Sequence, residues 1–250
     1  MPAVADTAIQ PRGIDVNLRS APQMREYEAI VDRIASEQPG RVLDWGCGLG
    51  QITSLLRARG VETEPFDYKE DVAEPTRRPL EHYPDEQALH SNDPVKLPYG
   101  DDEFDTVLSL GVLEHVADPD ASLDEVARVL KPGGTFYVYK LPNRFSYLEW
   151  IAKKLGLYYH GKLPYDRLYD KRRTISILER HGFEVVEFKR TNLLPLTIAH
   201  PVARALAGPI WAINRALRYV PGLSLTATNV EAIARLDPAA RASRAPSAPR

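Results

Sequence analysis

The chain contains 250 residues, of which 44% are hydrophobic, and its 32 basic and 34 acidic side chains leave a net charge of −2. This length can bury one substantial core, and the near-neutral charge excludes a whole-protein field that attracts nucleic acid. The single cysteine, Cys47, excludes an intramolecular disulfide, and no run of about 18 apolar residues is available to span a bilayer. We therefore expect a cytoplasmic protein with no nucleic acid partner.

The two ends of the chain differ in composition from the rest. Residues 1–20 and 238–250 are rich in Pro, Ala, Ser and Arg and show no hydrophobic periodicity. Such segments bury too little apolar surface to offset the entropy that is lost on ordering. We therefore expect disordered ends and a single domain over residues 21–237.

The first part of this domain alternates between helical and strand patterns. Apolar residues at helical spacing predict a helix over residues 25–35, and "RVLDWG" predicts a buried strand. After a glycine-rich turn, "QITSLLRARG" predicts a helix that ends at Gly60, and "VETEPFDY" predicts a second strand.

The second part continues the alternation and predicts the fold class. Strands that alternate with helices indicate an α/β fold with a doubly wound, mostly parallel sheet, and we expect the final strand to be antiparallel. The predicted elements are the strand "FDTVLSL" (104–110), the helix "DASLDEVARVL", the strand "TFYVYKL" (135–141), the helix "RTISILERHGF", the strand "EVVEFKR" and the closing strand "TNVEAIARL" (228–236).

Two insertions interrupt this pattern. Residues 142–170 are rich in aromatic side chains, and residues 193–223 are apolar with interspersed arginines. Connections of this length in a compact domain usually carry function, so we expect both to determine specificity. The second insertion has three open interpretations: it covers a binding pocket, it pairs with a second copy in a homodimer, or it makes a peripheral contact with a lipid surface.

The stretch "VLDWGCGLG" (42–50) places Asp44 before Gly46, Gly48 and Gly50 at the end of a strand. Such a turn lets backbone N–H groups approach a ligand beyond the carboxyl ends of parallel strands. Dinucleotide-binding proteins use G-x-G-x-x-G instead, and a carboxylate is unfavourable beside their pyrophosphate. The charge therefore favours a ligand with an ammonium and a sulfonium, and a purely structural turn is the alternative.

Two further carboxylates follow at later strand ends. Asp67 ends the second strand, where it can accept hydrogen bonds from ribose hydroxyls. Asp93 precedes "VKLPYGDDEFD" and can accept from the exocyclic amine of an adenine, although "SNDP" is also ordinary turn chemistry. Three acids at successive strand ends predict a nucleoside-containing ligand.

Three segments in this order, "VLDWGCGLG", "LPYGDDEFDTVLSLGVLEHVADP" and "EVARVLKPGG", resemble the class I S-adenosylmethionine-dependent methyltransferases. The resemblance is dense from about Arg41 to Tyr139 and thin on either side. It implies a seven-stranded, Rossmann-like sheet with helical insertions after strands 5 and 6. It also implies the cofactor S-adenosylmethionine and the product S-adenosylhomocysteine.

The resemblance further implies individual cofactor contacts. These are Asp44 with the backbone of Gly46, Cys47 and Gly48 at the amino acid portion, Asp67 at the ribose, Tyr68 and Asp93 at the adenine, and Leu110 at the methionine portion. Pro94 departs from the family pattern, because the residue after Asp93 commonly offers a backbone N–H to the adenine ring and proline has none. Either the adenine is bound differently or a neighbouring N–H substitutes.

Two histidines are candidate general bases. His115, in "GVLEHV", lies just past a strand end, and an imidazole that titrates near neutral pH suits a hydroxyl acceptor. A structural role for His115 is the alternative, and His160 in the first insertion is a second candidate base. Some relatives bind a metal with a carboxylate at the position of Gly111, so we expect no metal site here.

Together these features predict methyl transfer from S-adenosylmethionine to a small-molecule acceptor, with a hydroxyl on a saccharide, glycolipid or related natural product favoured. A quinone or lipid phenol, a nitrogen or a carbon acceptor are alternatives. More remote ones are a nicotinamide-dependent oxidoreductase and a protein that binds the cofactor without turnover.

Overall fold

The computed structural model describes residues 20–80, 83–156, 166–197, 205–220 and 222–239. Within them, eight strands form one sheet: β1 (Val42–Trp45), β2 (Thr63–Tyr68), β3 (Thr76–Leu80), β4 (Tyr83–Ser91), β5 (Phe104–Leu110), β6 (Leu130–Pro142), β7 (Phe183–Thr191) and β8 (Asn229–Leu236). The helices are α1 (Ala21–Ser36), α2 (Gln51–Arg57), α3 (Pro119–Val129), α4 (Tyr147–Lys154), α5 (Lys171–Arg180) and α6 (Ala207–Leu217), with a 3₁₀ helix at Leu223–Thr226. The ends predicted to be disordered lie outside the described residues, apart from residue 20 and residues 238–239.

The strand order is β3-β4-β2-β1-β5-β6-β8-β7. The five strands from β4 to β6 are parallel, and β8 runs antiparallel between β6 and β7. This confirms the doubly wound α/β fold with an antiparallel final strand. The sheet has eight strands rather than the expected seven, because β3 forms an antiparallel hairpin with β4.

The additional strand β3 was missed for a physical reason. Its sequence, "TRRPL", is only five residues long, has two adjacent arginines and contains Pro79. Proline lacks the N–H that a central strand needs, so the sequence argues against a strand. The structure places β3 at the sheet edge, where proline is tolerated.

Helices cover both faces of the sheet. On one face, α3 and α5 bury Leu123, Val126 and Leu178 against Phe136. On the other face, α1 and α2 bury apolar side chains against Val42, Leu108 and Tyr137, and α6 packs on α1. The carboxyl ends of the parallel strands form one edge of the sheet, where a ligand site is expected.

The two insertions contain helices, as predicted, and both leave the sheet at this carboxyl edge. The side-chain amide of Asn143, at the start of the first insertion, donates to the carbonyl oxygens of Leu225 (2.8 Å) and Ala227 (2.7 Å). The first insertion therefore lies beside the segment that joins the second insertion to β8. Among the residues that the structure describes, no helix has both the length and the apolar character needed to cross a bilayer.

Candidate active site

The glycine loop between β1 and α2 has two distinct glycine environments. A Cβ on Gly46 would lie 2.4 Å from Val112 Cγ2, so the close packing there requires glycine. Gly48 has a φ of +54°, and a Cβ on it would meet nothing within 4 Å. Gly48 therefore faces open space beside the backbone, where a ligand has room.

The sequence predicts that the backbone N–H groups of this loop are available to a ligand, and in the structure two of them are not. The N–H groups of Gly46 and Cys47 both donate to the carbonyl oxygen of Phe66, at 2.8 and 2.9 Å. These two donors are therefore used within the fold rather than offered to a ligand. The Cys47 side chain is buried, and burial raises the pKa of its thiol far above the ordinary value, so it is not a reactive thiolate.

Asp44, on β1, is a buried carboxylate with a 2% exposed fraction. Its Oδ2 accepts a hydrogen bond of 2.6 Å from the hydroxyl of Thr53 on α2. Burial raises the pKa of Asp44 to about 6, the Thr53 hydrogen bond opposes this shift, and the nearby charge of Asp67 adds to it. A buried acid of this kind is stabilised as a carboxylate by a cationic ligand.

Asp67 lies on β2 beside a buried histidine on β4. Its Oδ1 accepts from the backbone N–H of Tyr68 at 2.9 Å, and burial raises its pKa. His90 is its register partner, so both side chains lie on the same face of the sheet. His90 is 5% exposed, and its Nδ1 has no hydrogen-bond partner among the described atoms.

His90 faces the glycine loop. Ala88, two residues earlier on β4, packs with Cys47 and Leu80 on the loop side of the sheet, and side chains two residues apart on a strand share a face. Burial lowers the pKa of His90, which favours the neutral imidazole. The sequence pattern did not predict β4, so His90 was not among the predicted site residues. The alternation of Ala88 and His90 in "ALHS" was the available signal.

Asp93 and Pro94 lie in the exposed turn after β4. Asp93 Oδ1 accepts from the backbone N–H groups of Val95 (2.9 Å) and Lys96 (2.8 Å). These hydrogen bonds lower its pKa, so the side chain is a carboxylate at neutral pH. Asp93 therefore has the turn role that "SNDP" indicates, and its contact with adenine stays a prediction.

Leu110 ends β5, and it packs partly buried against the cluster that includes Leu108 and Tyr139. The next N–H, that of Gly111, donates to the carbonyl oxygen of Tyr139 at 3.1 Å. Tyr68, which follows Asp67, is 41% exposed, so its side chain is accessible to a ligand. The carboxyl edge therefore brings together Asp44 and Asp67 on adjacent strands, with Leu110 on the other side of β1.

The loop after β5 places His115 against a carboxylate from the first insertion. His115 Nδ1 lies 2.9 Å from Asp166 Oδ1, and the Asp166 side chain is only 1% exposed. His115 Nε2 lies 3.8 Å from Oε1 of the buried Glu114, while the His115 side chain is itself 44% exposed. This is an imidazole held by an acid on one side and accessible on the other.

The end of the first insertion is fixed to this loop by several hydrogen bonds. The backbone N–H of Arg167 donates to the Glu114 carbonyl at 3.1 Å, and its guanidinium donates to the carbonyl oxygens of Val116 and Ala117. The Tyr169 hydroxyl donates to the carbonyl of Leu113 at 3.2 Å. These contacts hold Asp166 at His115, a pairing that no spacing in the sequence indicates.

Several known proteins are similar to this chain. A family model described as "Methyltransferase domain" matches residues 19–188, which is most of the chain. A Mycolicibacterium smegmatis protein named as a probable S-adenosylmethionine-dependent methyltransferase is 30% identical over 199 residues, covering 75% of this chain and 73% of that protein. This chain belongs to the class I S-adenosylmethionine-dependent methyltransferases.

Two further comparisons concern this methyltransferase. A demethylmenaquinone methyltransferase of Clavibacter sepedonicus is 37% identical over 98 residues, which is 39% of this chain and 40% of that enzyme. The solved structure of an S-adenosylmethionine-dependent methyltransferase from Archaeoglobus fulgidus has a TM-score of 0.51 at 20% identity and covers 84% of this chain and 94% of its own. The latter supports the fold. The family membership confirms the predicted enzyme class and cofactor over the nicotinamide-dependent and non-catalytic alternatives.

Three structural observations indicate that this methyltransferase has residues that fit S-adenosylmethionine. Gly48 borders open space, Asp44 is a buried acid suited to an ammonium, and the buried Nδ1 of His90 is unpartnered beside Asp67. A ribose hydroxyl both donates and accepts hydrogen bonds, so it can satisfy His90 in either tautomer.

Two other sequence predictions concern the acceptor side of the methyltransferase. His160, the second candidate base, lies outside the described residues. Within the described part of the chain, no group of three or more His, Cys, Asp or Glu side chains is arranged to hold a metal ion.

Proposed function

We propose that this methyltransferase methylates a hydroxyl oxygen of a small or medium-sized acceptor on a saccharide, a glycolipid or a related natural product. The observation that carries the proposal is the pair formed by His115 and Asp166, whose Nδ1 and Oδ1 atoms lie 2.9 Å apart. A hydroxyl must lose its proton as it attacks, and a positioned imidazole is the usual base for that step.

The geometry supports a defined path for this proton. As a carboxylate, Asp166 accepts a hydrogen bond from Nδ1–H of His115, so the lone pair of Nε2 is left to take the hydroxyl proton. Glu114 Oε1, at 3.8 Å from Nε2, then stabilises the imidazolium. When bound, S-adenosylmethionine would supply the methyl group of its sulfonium, and the electron pair of the broken carbon–sulfur bond would stay on sulfur as the thioether of S-adenosylhomocysteine.

The donor-side residues have binding and orienting roles in this proposal. Asp44 would pair with the ammonium of the cofactor, with the loop from Gly46 to Gly48 against its amino acid portion. Asp67 and His90 would bind the ribose hydroxyls, with Tyr68 beside the adenine. Holding the methyl group in line with the nucleophile accounts for much of the rate enhancement that such a site supplies.

The first insertion contributes to acceptor specificity in the same proposal. It supplies Asp166, and its aromatic side chains Tyr147 and Trp150 suit a sugar or a planar ring. We place the enzyme in the cytoplasm, which the lone buried Cys47 supports because no disulfide depends on an oxidising compartment.

A second candidate acceptor is a quinone-type lipid phenol. The observation in its favour is the similarity, at 27% identity over 177 residues, to a Dictyostelium discoideum protein named as a ubiquinone biosynthesis O-methyltransferase. A nitrogen or carbon nucleophile is a further alternative, for which His115 would be dispensable or act on a different proton.

The experiment that tests the proposal is methyl labelling followed by product identification. The enzyme is incubated with S-adenosylmethionine carrying a labelled methyl group and with separated polar and lipid fractions of a cell extract, and the product is identified by mass spectrometry. We expect an O-methyl ether in a saccharide-containing component. An N-methyl or C-methyl product contradicts the hydroxyl assignment, and an O-methylated quinone favours the second candidate.

A further inference from the structure

The exposed large hydrophobic side chains of this protein are concentrated in two segments. In the described part of the chain, ten of the twelve lie in residues 144–156 and 205–226, which we name the basic apolar surface. Their exposed fractions are large: 64% for Trp150, 67% for Leu155 and 72% for Tyr219. Helix α4 has no buried residue, and α6 has only two.

The two segments of the basic apolar surface are joined through one stretch of backbone. The Tyr147 hydroxyl on α4 donates to the carbonyl of Leu193 at 2.6 Å. The Asn214 side chain on α6 accepts from the N–H of Leu194 at 2.6 Å and donates to its carbonyl at 3.1 Å. The adjacent residues Leu193 and Leu194 therefore anchor both helices, so the two segments lie near each other at the carboxyl edge.

The charge of this region differs in sign from that of the whole chain. The basic apolar surface contains five basic side chains (Arg144, Lys153, Lys154, Arg215 and Arg218) and one acidic side chain, Glu149. Asp170, outside the surface, lies 3.3 Å from Arg144, and the remaining charge is still basic, whereas the chain as a whole has a net charge of −2. An exposed patch that is both apolar and cationic is complementary to an anionic lipid surface.

Four aromatic rings of the surface each have a cation within 6 Å of the ring centroid. Arg144 lies 5.5 Å from the ring of Phe145, Lys154 lies 5.9 Å from Trp150, and Arg218 lies 4.7 Å from Tyr219. Arg215 lies 5.3 Å from the ring of Trp211. Rings with adjacent cations suit the boundary of a bilayer, where the ring enters the headgroup layer and the cation meets lipid phosphate.

We propose that the basic apolar surface docks this protein onto an anionic membrane. The charge disfavours a second copy of the chain as occupant, because a two-fold interface through this surface brings the same five cations against each other. Docking places the carboxyl edge of the sheet next to the lipid. The inference concerns binding and does not depend on methyl transfer or on the acceptor.

Vesicle co-sedimentation of the full chain tests this proposal. We expect wild type to sediment with vesicles in which about one third of the lipid is phosphatidylglycerol and the rest phosphatidylcholine, and to stay in solution with phosphatidylcholine alone. Binding should weaken as salt is added, because the lipid charge is screened.

Variants separate the apolar and the charged contributions. Trp150→Glu and Tyr219→Glu should each weaken binding at least about tenfold, and the double variant Lys154→Gln/Arg215→Gln should weaken it about 30-fold. Val186→Glu is the matched control, because Val186 is 51% exposed but lies outside the surface, on β7. It should bind vesicles like wild type.

Three outcomes would overturn the proposal. These are no sedimentation of wild type with anionic vesicles, equal loss of binding in the Val186→Glu control, and a concentration-dependent dimer in light scattering that Trp150→Glu dissociates. Calorimetry with S-adenosylhomocysteine distinguishes this failure from failure of the proposed function, because Tyr219→Glu, at a residue outside the proposed active site, should leave that affinity unchanged.

Discussion

The imidazole of His115 and the carboxylate of Asp166 lie 2.9 Å apart although 51 positions separate them in the chain. One belongs to the loop after β5 and the other to the end of the first insertion. Their contact links the carboxyl edge of the sheet to the first insertion.

The first prediction concerns the proposed base. His115→Ala should lower turnover by about 100-fold or more, because no group is then placed to remove the hydroxyl proton. The affinity for S-adenosylhomocysteine, measured by calorimetry, should change little, since His115 is outside the glycine loop. An unaltered rate of methyl transfer would remove His115 from the mechanism.

The second prediction concerns the positioning residue. Asp166→Asn should lower kcat by about 100-fold with little change in cofactor affinity, because an amide can donate to Nδ1 and leave the proton on Nε2. Asp166→Glu, which keeps the charge, should recover part of the rate. The melting temperature of each variant is the control for folding, and full activity in Asp166→Asn contradicts the proposed tautomer.

The third prediction follows from the buried acid of the glycine loop. The pKa of Asp44 is raised to about 6, so the side chain is increasingly protonated as the pH falls below that value. Its pairing with the ammonium of S-adenosylhomocysteine is then lost, and we expect affinity to fall as the pH is lowered from about 7 to 5.

The Asp44→Asn variant isolates this effect. It should bind S-adenosylhomocysteine at least about 30-fold more weakly at neutral pH and lose most of the pH dependence between about 5 and 7. Any dependence that remains comes from Asp67, whose pKa burial raises, and from His90, whose pKa burial lowers. A wild-type affinity that is constant over this range would show that Asp44 does not contact the ammonium.

The fourth prediction concerns stability. Burial, with the nearby charge of Glu26, raises the pKa of Glu231 to about 7, and the Thr191 hydroxyl donates to its Oε1 at 2.9 Å. A carboxyl whose pKa is raised by folding contributes stability below its unfolded pKa, and this contribution is lost as the pH rises through the folded value. The free energy of unfolding of wild type should therefore fall between about pH 5 and 8.

Glu231→Gln removes this titration. We expect the variant to be more stable than wild type above pH 7 by about 1 to 3 kcal/mol, and close to wild type near pH 5. Glu74→Gln, at an exposed glutamate, is the matched control and should follow wild type. A difference between wild type and Glu231→Gln that does not vary with pH contradicts the assignment.

The sequence was sufficient for most of the sheet because its strands are strongly patterned. The apolar runs of β1, β5 and β6 and the alternation with helices predict a parallel core, since strands buried on both faces must be hydrophobic. The edge hairpin of β3 and β4 escaped prediction, because edge strands tolerate proline and charge. His90 was missed along with β4.

The residues of the cofactor site could also be predicted from the sequence, because they lie at the ends of successive strands. Asp44 and Asp67 are brought together by the parallel pairing of β1 and β2, which the order of elements already implies. The sequence did not predict that the N–H groups of Gly46 and Cys47 donate to the carbonyl oxygen of Phe66, because this contact depends on the folded conformation of the loop.

The sequence by itself determined the family, the cofactor and the acidic side chains at the strand ends, since these depend on local pattern. Only the tertiary structure showed that Asp166 is the acid in contact with His115 and that α4 and α6 expose the basic apolar surface. The physical reason is that both depend on contacts between segments far apart in the chain, which no periodicity records.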